Sequence, residues 1–165
     1  MTEGFRVGLG HDTHRLVIGK PLILGGVTIP HEMGLAGHSD ADVLLHALTD
    51  ALLGAAGLGD IGELFPDTDA KWAGAASDIF VREAVRLLSA SDCRVINVDV
   101  ILHAEKPKLS AHKMAIRNNV AKLLAIPQDR VNIKAKTGEK VGPVGLGEAM
   151  ECHVVALIQF GKNSA

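Results

Sequence analysis

Period-two alternation of apolar and polar residues is the clearest pattern along this chain, and it predicts β-strands. Residues 94–103 show the pattern best, with the apolar side chains Ile96, Val98, Val100 and Leu102 expected on one face of a strand. Further strands are predicted at residues 6–10, 22–24, 27–29, 131–135 and about 148–160. The last of these stretches is apolar on both faces, so we expect it to be covered on both sides.

Runs of helix-forming residues between these strands predict three long helices. They span residue 42 to about 55, about 77–89 and about 110–125, and Ser39 or Asp40 can cap the first helix. Residues 59–69 are too rich in Gly, Pro and Asp for regular structure and predict a functional loop. We therefore expect a single catalytic domain over residues 1–165. Its fold class is α+β, a mixed β-sheet with about three helices on one face.

Composition narrows the class of protein. The 165 residues are 47% hydrophobic, which suffices for one core, and the net charge is −2 with dispersed Lys and Arg. This charge argues against nucleic acid as a partner, and no apolar run is long enough to cross a membrane. Cys93 and Cys152 lack CxxC spacing, and the chain has no recognisable signal sequence, so we expect reduced cysteines and a cytoplasmic protein.

Three residues have the donor atoms and spacing to share a metal ion. Asp12 and His14 follow the first strand two positions apart, so in an extended chain both side chains point the same way. His46 adds a ligand from the first helix. Three N and O ligands with an open fourth position are typical of catalytic zinc. Asp42 or Asp50, four residues on either side of His46, could hold its other ring nitrogen.

Two further motifs carry groups that suit a phosphate. His38 and Ser39 precede the first helix, whose N-terminal amides attract anions. In Thr137-Gly138-Glu139 the hydroxyl can donate to a phosphate, and the carboxylate can hold a hard cation such as Mg²⁺.

Two histidines and one carboxylate also form the metal site of non-haem iron oxygenases, which is a different reaction class. Such enzymes usually have an all-β barrel, and the predicted helices argue against it.

Seven short motifs run through nearly the whole chain. They are Gly10-His11-Asp12-Thr13-His14, His38-Ser39-Asp40-Ala41-Asp42, His46-Ala47-Leu48-Thr49-Asp50-Ala51, Gly59-Asp60-Ile61-Gly62, Leu64-Phe65-Pro66-Asp67-Thr68-Asp69, Pro107-Lys108-Leu109 and Thr137-Gly138-Glu139-Lys140. Together these motifs resemble those of the 2-C-methyl-D-erythritol 2,4-cyclodiphosphate synthases of the non-mevalonate isoprenoid pathway.

The resemblance implies a reaction and an assembly. The reaction is a metal-dependent intramolecular phosphoryl transfer by a phosphorus-oxygen lyase. It converts 4-diphosphocytidyl-2-C-methyl-D-erythritol 2-phosphate into 2-C-methyl-D-erythritol 2,4-cyclodiphosphate and releases CMP. The assembly is a homotrimer with three active sites, each between neighbouring subunits.

The resemblance also assigns roles to residues. Asp12, His14 and His46 would bind Zn²⁺ or another divalent transition metal, and a second cation, Mg²⁺ or Mn²⁺, would lie near Glu139. His38 and Thr137 would be catalytic. Substrate contacts would come from Asp12, Thr13, His14, His38 and Ser39, from Asp60, Ile61, Gly62, Phe65, Pro66, Asp67, Thr68 and Asp69 around the erythritol part, and from Ala104, Pro107, Lys108, Leu109, Ser110, Ala135, Lys136, Thr137, Gly138 and Glu139 around the cytidine and diphosphate.

The chain departs from the family pattern near its last glycine-rich loop. Members often carry an Arg in a Gly-Arg-Gly-Glu segment, which here reads Gly145-Leu146-Gly147-Glu148, and Pro143 stands where an aromatic residue is common. That Arg is associated with the anion-accepting end of a hydrophobic channel on the trimer axis, and Leu146 cannot supply this contact.

A metal-dependent phosphohydrolase and a non-catalytic nucleotide-binding trimer are the alternative functions for the chain.

Overall fold

A five-stranded mixed sheet organises residues 3–161, the part of the chain that the computed structural model describes. The strands lie in the order β4-β1-β7-β5-β6, where β1 is Gly4–Ile18, β4 is Met33–Leu35, β5 is Cys93–His103, β6 is Val131–Lys136 and β7 is Ala149–Phe160. Only β5 and β6 pair in parallel within this sheet. Strands β2 (Leu22–Leu24) and β3 (Val27–Ile29) form the predicted hairpin separately.

Helices pack on one face of the sheet. The three long ones are α1 (Val43–Ala56), α3 (Asp78–Ala90) and α4 (Lys113–Leu124). Helix α1 packs against β1 and β7, α3 packs against β5, and α4 packs against β6. Two one-turn helices, α2 (Ile61–Leu64) and α5 (Gly142–Gly145), lie in the loops. The predicted α+β architecture is thus confirmed, with two short helices added. Within residues 3–161 no helix has the length and apolar character that crossing a membrane requires.

Helix α1 lies against β1 more closely than side chains would normally allow. A Cβ atom on Gly8 would overlap the carbonyl oxygen of Ala51 and lie 2.6 Å from the amide nitrogen of Ala55. A Cβ on Gly10 would overlap the carbonyl oxygen of Ala47 in the same way. Glycines on the strand and alanines four residues apart on the helix therefore bring the two backbones into direct contact.

A buried carboxylate connects this helix to the β2–β3 hairpin. Asp42 is fully buried and accepts hydrogen bonds from the amides of Gly25 and Gly26, at 2.9 and 2.6 Å, and of Leu44 and Leu45, both at 3.1 Å. Burial raises the pKa of Asp42 to about 6, although the hydrogen bonds from the backbone oppose the shift. Asp42 is the N-cap of α1, so the prediction that Ser39 or Asp40 fills this role is wrong.

Several element boundaries differ from the predictions for local reasons. Strand β1 continues through residues 12–14 as far as Ile18, and β4, with three residues, is too short to leave a pattern. The residue pairing of β5 with β7 shifts between Val95 and Asn97, so Val95 is buried and Ile96 is not, contrary to the uninterrupted alternation expected. The loop at residues 59–69 contains α2, and the third long helix begins at Lys113.

The contact between α1 and β1 can be tested with two glycines. Gly8→Ala should lower the free energy of unfolding by about 3 kcal/mol, because the methyl group must push the helix backbone away. Gly54→Ala is the matched control within α1, where an added Cβ meets nothing within 4 Å, and it should raise stability by about 1 kcal/mol. Urea denaturation measures both changes. Equal stability of the two variants would contradict the close contact.

Candidate metal centre and adjoining cavities

Three donor atoms converge where β1 meets α1. The Asp12 Oδ2 atom is 2.9 Å from His14 Nε2 and 3.0 Å from His46 Nδ1, and the two ring nitrogens are 3.1 Å apart. Among residues 3–161 this is the only group of three or more His, Cys, Asp or Glu side chains whose donors all lie within 4.8 Å of one another. The structure therefore brings together the three residues that the sequence predicts as ligands, in a group that could hold one metal ion.

The electrostatics of this group favour positive charge. Burial disfavours the ionised form of Asp12, but its contacts with His14 and His46 outweigh this effect and hold the pKa of the carboxyl well below its usual range. Burial alone would lower the pKa of His14, yet the hydrogen bond to Asp12 raises it. A divalent cation can take the place of the protons that the site attracts. Two imidazoles and one carboxylate suit zinc or another transition metal better than magnesium.

The second nitrogen of each ring has its own partner. In His14, Nδ1 lies 2.8 Å from the carbonyl oxygen of Ala36. A carbonyl can only accept, so Nδ1 carries the proton and Nε2 is free to bind a metal. In His46 the arrangement is reversed, because Nδ1 faces the other ligands. Its Nε2 lies 2.9 Å from Ser77 Oγ and 3.0 Å from Ser39 Oγ.

The prediction that Asp42 or Asp50 holds His46 is therefore wrong. Asp42 is committed to backbone amides, and Asp50 accepts a hydrogen bond of 2.8 Å from the amide of Ile61, which fixes the start of α2. The partners are Ser39 and Ser77, and Ser77 lies immediately before α3 and is completely buried. A serine at the start of a helix indicates only a cap, so the sequence gives no signal for this contact.

A cavity of about 640 Å³ adjoins the metal centre. Most residues predicted to contact the erythritol part lie in its wall. The lining consists of His14, Gly37, His38, Ser39, His46, Ile61, Gly62, Phe65, Pro66, Asp67, Thr68, Trp72 and Phe80. Three rings form its apolar side, with centroids of Phe65 and Phe80 4.7 Å apart and those of Phe65 and Trp72 5.2 Å apart. Trp72 and Phe80 were missed because they lie outside the recognised motifs.

Some predicted substrate contacts lie elsewhere. Thr13 is on the opposite face of β1 from the metal ligands, with its Oγ1 3.3 Å from His11 Nε2. Asp60 caps α2, and Asp69 caps the turn Ala70–Trp72 and pairs with Lys71.

The N-terminus of α1 is also occupied. The side chain of Asp42 accepts hydrogen bonds from the amides of Leu44 and Leu45. These two amides are therefore not available to bind an anion, contrary to the expectation from the sequence. His38 and Ser39 must act through their own side chains.

A second cavity, of about 250 Å³, lies at the carboxyl ends of β5 and β6. Its wall contains the predicted cytidine contacts: Ala104, Pro107, Lys108, Leu109, Ser110, Ala135, Lys136 and Thr137, together with Glu105. Glu105 accepts a hydrogen bond of 3.1 Å from the amide of Gly138 and so holds the loop that carries Thr137. The two cavities share no lining residue within one chain.

Thr137 and Glu139 face each other in this loop. The Thr137 hydroxyl donates to Glu139 Oε1 at 2.9 Å, and both residues are exposed. Glu139 and Lys140 have φ angles of +52° and +61°, so the backbone here is held in a conformation that L-residues rarely adopt. Glu139 offers one carboxylate, and a cation bound there would need phosphate oxygens to complete its coordination.

Known proteins resemble this chain over nearly its whole length. The sequence profile of the YgbB family matches residues 5–159. A 2-C-methyl-D-erythritol 2,4-cyclodiphosphate synthase from Burkholderia lata is 56% identical over 154 residues, which are 93% of this chain and 96% of that protein. The solved structure of a 2C-methyl-D-erythritol-2,4-cyclodiphosphate synthase in a CDP-bound form has a TM-score of 0.86 at 43% identity and covers 93% of this chain and 99% of its own.

A larger protein contains the same fold as one part. The bifunctional IspDF of Campylobacter jejuni has a TM-score of 0.93 at 42% identity. The match covers 98% of this chain but only 44% of that protein, so this chain corresponds to less than half of the bifunctional one.

The metal centre predicts a specific loss of bound metal. His46→Ala should reduce tightly bound zinc from about one equivalent per chain to almost none, because two ligands cannot replace three. His112→Ala, which changes a histidine just before α4, is the control and should keep its metal. Inductively coupled plasma mass spectrometry of dialysed protein measures both. Full zinc content in His46→Ala would contradict the assignment of the ligands.

Proposed function

Because the chain belongs to the YgbB family, with the 2-C-methyl-D-erythritol 2,4-cyclodiphosphate synthases that match it along nearly their whole length, we propose that it performs their reaction. The chain converts 4-diphosphocytidyl-2-C-methyl-D-erythritol 2-phosphate into 2-C-methyl-D-erythritol 2,4-cyclodiphosphate and CMP. The observation that carries this proposal is the convergence of Asp12, His14 and His46 beside a cavity large enough for a phosphorylated polyol.

The site suits a reaction in which the substrate attacks itself. The nucleophile is the 2-phosphate of the substrate, which is already ionised at pH 7, so no strong general base is required. The leaving group is CMP, and the new bond closes a ring between two phosphates of one molecule. Both reacting groups are tethered, so much of the catalysis comes from holding the substrate in the ring-forming pose.

The side chains of the two cavities divide this task. In this proposal His38 and Ser39, which line the first cavity, donate hydrogen bonds to phosphoryl oxygens, and the rings of Phe65, Trp72 and Phe80 exclude water from one side. At the second cavity, the Thr137 hydroxyl turns from Glu139 to donate to the diphosphate, and the pocket around Lys108 receives the cytidine. The CDP-bound form of the related solved structure supports a cytidine nucleotide as a ligand.

Two cations complete the site. Asp12, His14 and His46 hold zinc or another divalent transition metal, and Glu139 contributes to a second site for Mg²⁺ or Mn²⁺. Bound cations neutralise phosphate charge beside the metal centre, where the cavity lining contains no Lys or Arg.

A homotrimer is supported by the uncovered face of the sheet. The side chains of Phe5, Val7 and Leu9 on β1 are 62 to 67% exposed and continue into Val155 on β7, so a contiguous apolar surface lies opposite the helices. The metal centre and the cytidine cavity are separate within one chain, as expected for active sites formed between subunits. Copies related by a threefold axis would bury this surface and bring the two cavities together.

The product distinguishes the proposed reaction from hydrolysis. With zinc and magnesium present, phosphorus NMR should show equal amounts of CMP and the cyclic diphosphate, and no inorganic phosphate. Protein stripped of metal by a chelator should be inactive and regain activity with zinc, whereas His46→Ala should stay inactive. Release of inorganic phosphate would favour a phosphohydrolase, and absence of any turnover would favour a nucleotide-binding protein.

The assembly can be tested separately by placing a charge on the apolar surface. Leu9→Asp should give monomers, because three buried carboxylates would meet an apolar interface without partners. Met114→Asp changes a side chain of similar exposure, 59% against 67%, on the outer side of α4 and should leave the trimer intact. Sedimentation velocity separates a trimer of 17.3 kDa chains from the monomer. A wild-type monomer at working concentration would contradict the trimer.

A further inference from the structure

A chain of hydrogen bonds leads away from the metal centre behind His46. The ring nitrogen Nε2 of His46 is 2.9 Å from the Oγ atom of Ser77. The Ser77 hydroxyl in turn makes a short hydrogen bond to Oδ1 of Asp40, and the Ser77 amide donates to Oδ2 of the same carboxylate at 3.0 Å. Ser77 is completely buried, so water does not compete for either contact.

The polarity of this chain follows from which groups can donate. A carboxylate can only accept, so the Ser77 hydroxyl donates its hydrogen bond to Asp40. Its oxygen is then left as the acceptor for His46, and Nε2 must carry a proton. In a neutral imidazole the other nitrogen, Nδ1, then has the free electron pair, and Nδ1 is the atom that faces Asp12 and His14.

Ser39 also approaches Nε2, at 3.0 Å, but it cannot determine the tautomer. Its oxygen accepts a hydrogen bond of 3.2 Å from the amide of Ala41, and no carboxylate receives its hydroxyl proton. The Ser39 hydroxyl can therefore turn to suit either tautomer of His46. Ser77 has a fixed orientation because Asp40 fixes it.

The same contacts connect the metal ligand to two loops. The Asp40 amide donates to the carbonyl of Ala75 at 2.9 Å, and the Gly74 amide donates to the carbonyl of His38 at 2.8 Å. Residues 38–40, which carry the proposed substrate groups, are thus joined to residues 74–77, which lead into α3. A metal ion that fixes the ring of His46 would also hold these segments in place.

We infer that Ser77 and Asp40 are positioning residues that select the Nδ1-binding tautomer of His46 and thereby set the affinity of the metal centre. The inference rests on the proposed function only in requiring that Asp12, His14 and His46 bind a metal. Hydrogen-bond partners behind metal-binding histidines typically change metal affinity by about 10- to 100-fold when they are removed.

Metal affinity is the first measurement. Ser77→Ala should weaken zinc binding by about 10- to 100-fold in a competition titration with a chromophoric chelator. Asp40→Asn should also weaken it, because Asn has one acceptor oxygen where the carboxylate uses two, for the hydroxyl and the amide of Ser77, so the direction of the hydroxyl is no longer fixed. Ser39→Ala should have a smaller effect than Ser77→Ala. Ser89→Ala removes a serine hydroxyl from the same helix that bonds only the carbonyl of Val85, and it should bind zinc as the wild type does.

The tautomer of His46 is the second measurement, and a general loss of stability would not alter it. In the metal-free protein the Asp12 carboxylate, 3.0 Å from Nδ1, competes with Ser77 for the proton of the neutral ring. Long-range ¹H–¹⁵N NMR above pH 8 should therefore show a larger share of the Nε2–H tautomer in the wild type than in Ser77→Ala or Asp40→Asn. Zinc affinity within threefold of the wild type, or an unchanged tautomer, in both variants would overturn the inference. A wild type that binds no metal would instead overturn the metal centre, and this inference with it.

Discussion

The direct backbone contact between α1 and β1 is the constraint on which the site depends. Two of the proposed ligands project from the strand and the third from the helix, so the separation of these two elements sets the distances from His46 to Asp12 and His14. Gly8 and Gly10 allow the helix to lie directly on the strand. At this separation His46 Nδ1 is 3.0 Å from Asp12 Oδ2, close enough for both atoms to bind one cation. A side chain in place of either glycine would push the helix, and His46 with it, away from Asp12 and His14.

The sequence predicts the metal ligands because they obey local rules. Asp12 and His14 are two residues apart on a strand, and His46 lies in the first half of a helix whose pattern is unmistakable. The supporting residues obey no such rule. Ser77 is 31 residues from His46, and its contact exists only because α3 begins beside α1. Polar pairs of this kind depend on tertiary packing, which no periodicity in the chain records.

The fold was predictable to a similar extent and for similar reasons. Long elements, such as β7 and the three long helices, appear within a few residues of the positions that the sequence predicts. The irregularity at Ile96 was hidden, because one extra residue in a strand changes the faces without changing the composition. The cap of α1 was also misplaced by two or three positions. Several acidic and hydroxyl side chains precede that helix, and only the hairpin packed against it selects Asp42.

The buried carboxylate of Asp42 has a consequence for the order in which the chain folds. It joins the turn of the β2–β3 hairpin to the first turn of α1, and these two segments are only 17 residues apart along the chain. Neither a hairpin of two three-residue strands nor an isolated helix is stable by itself in water. A shared acceptor makes their formation cooperative, so we expect them to appear together as an early folding unit. Strand β1 would then dock on a helix that already presents His46.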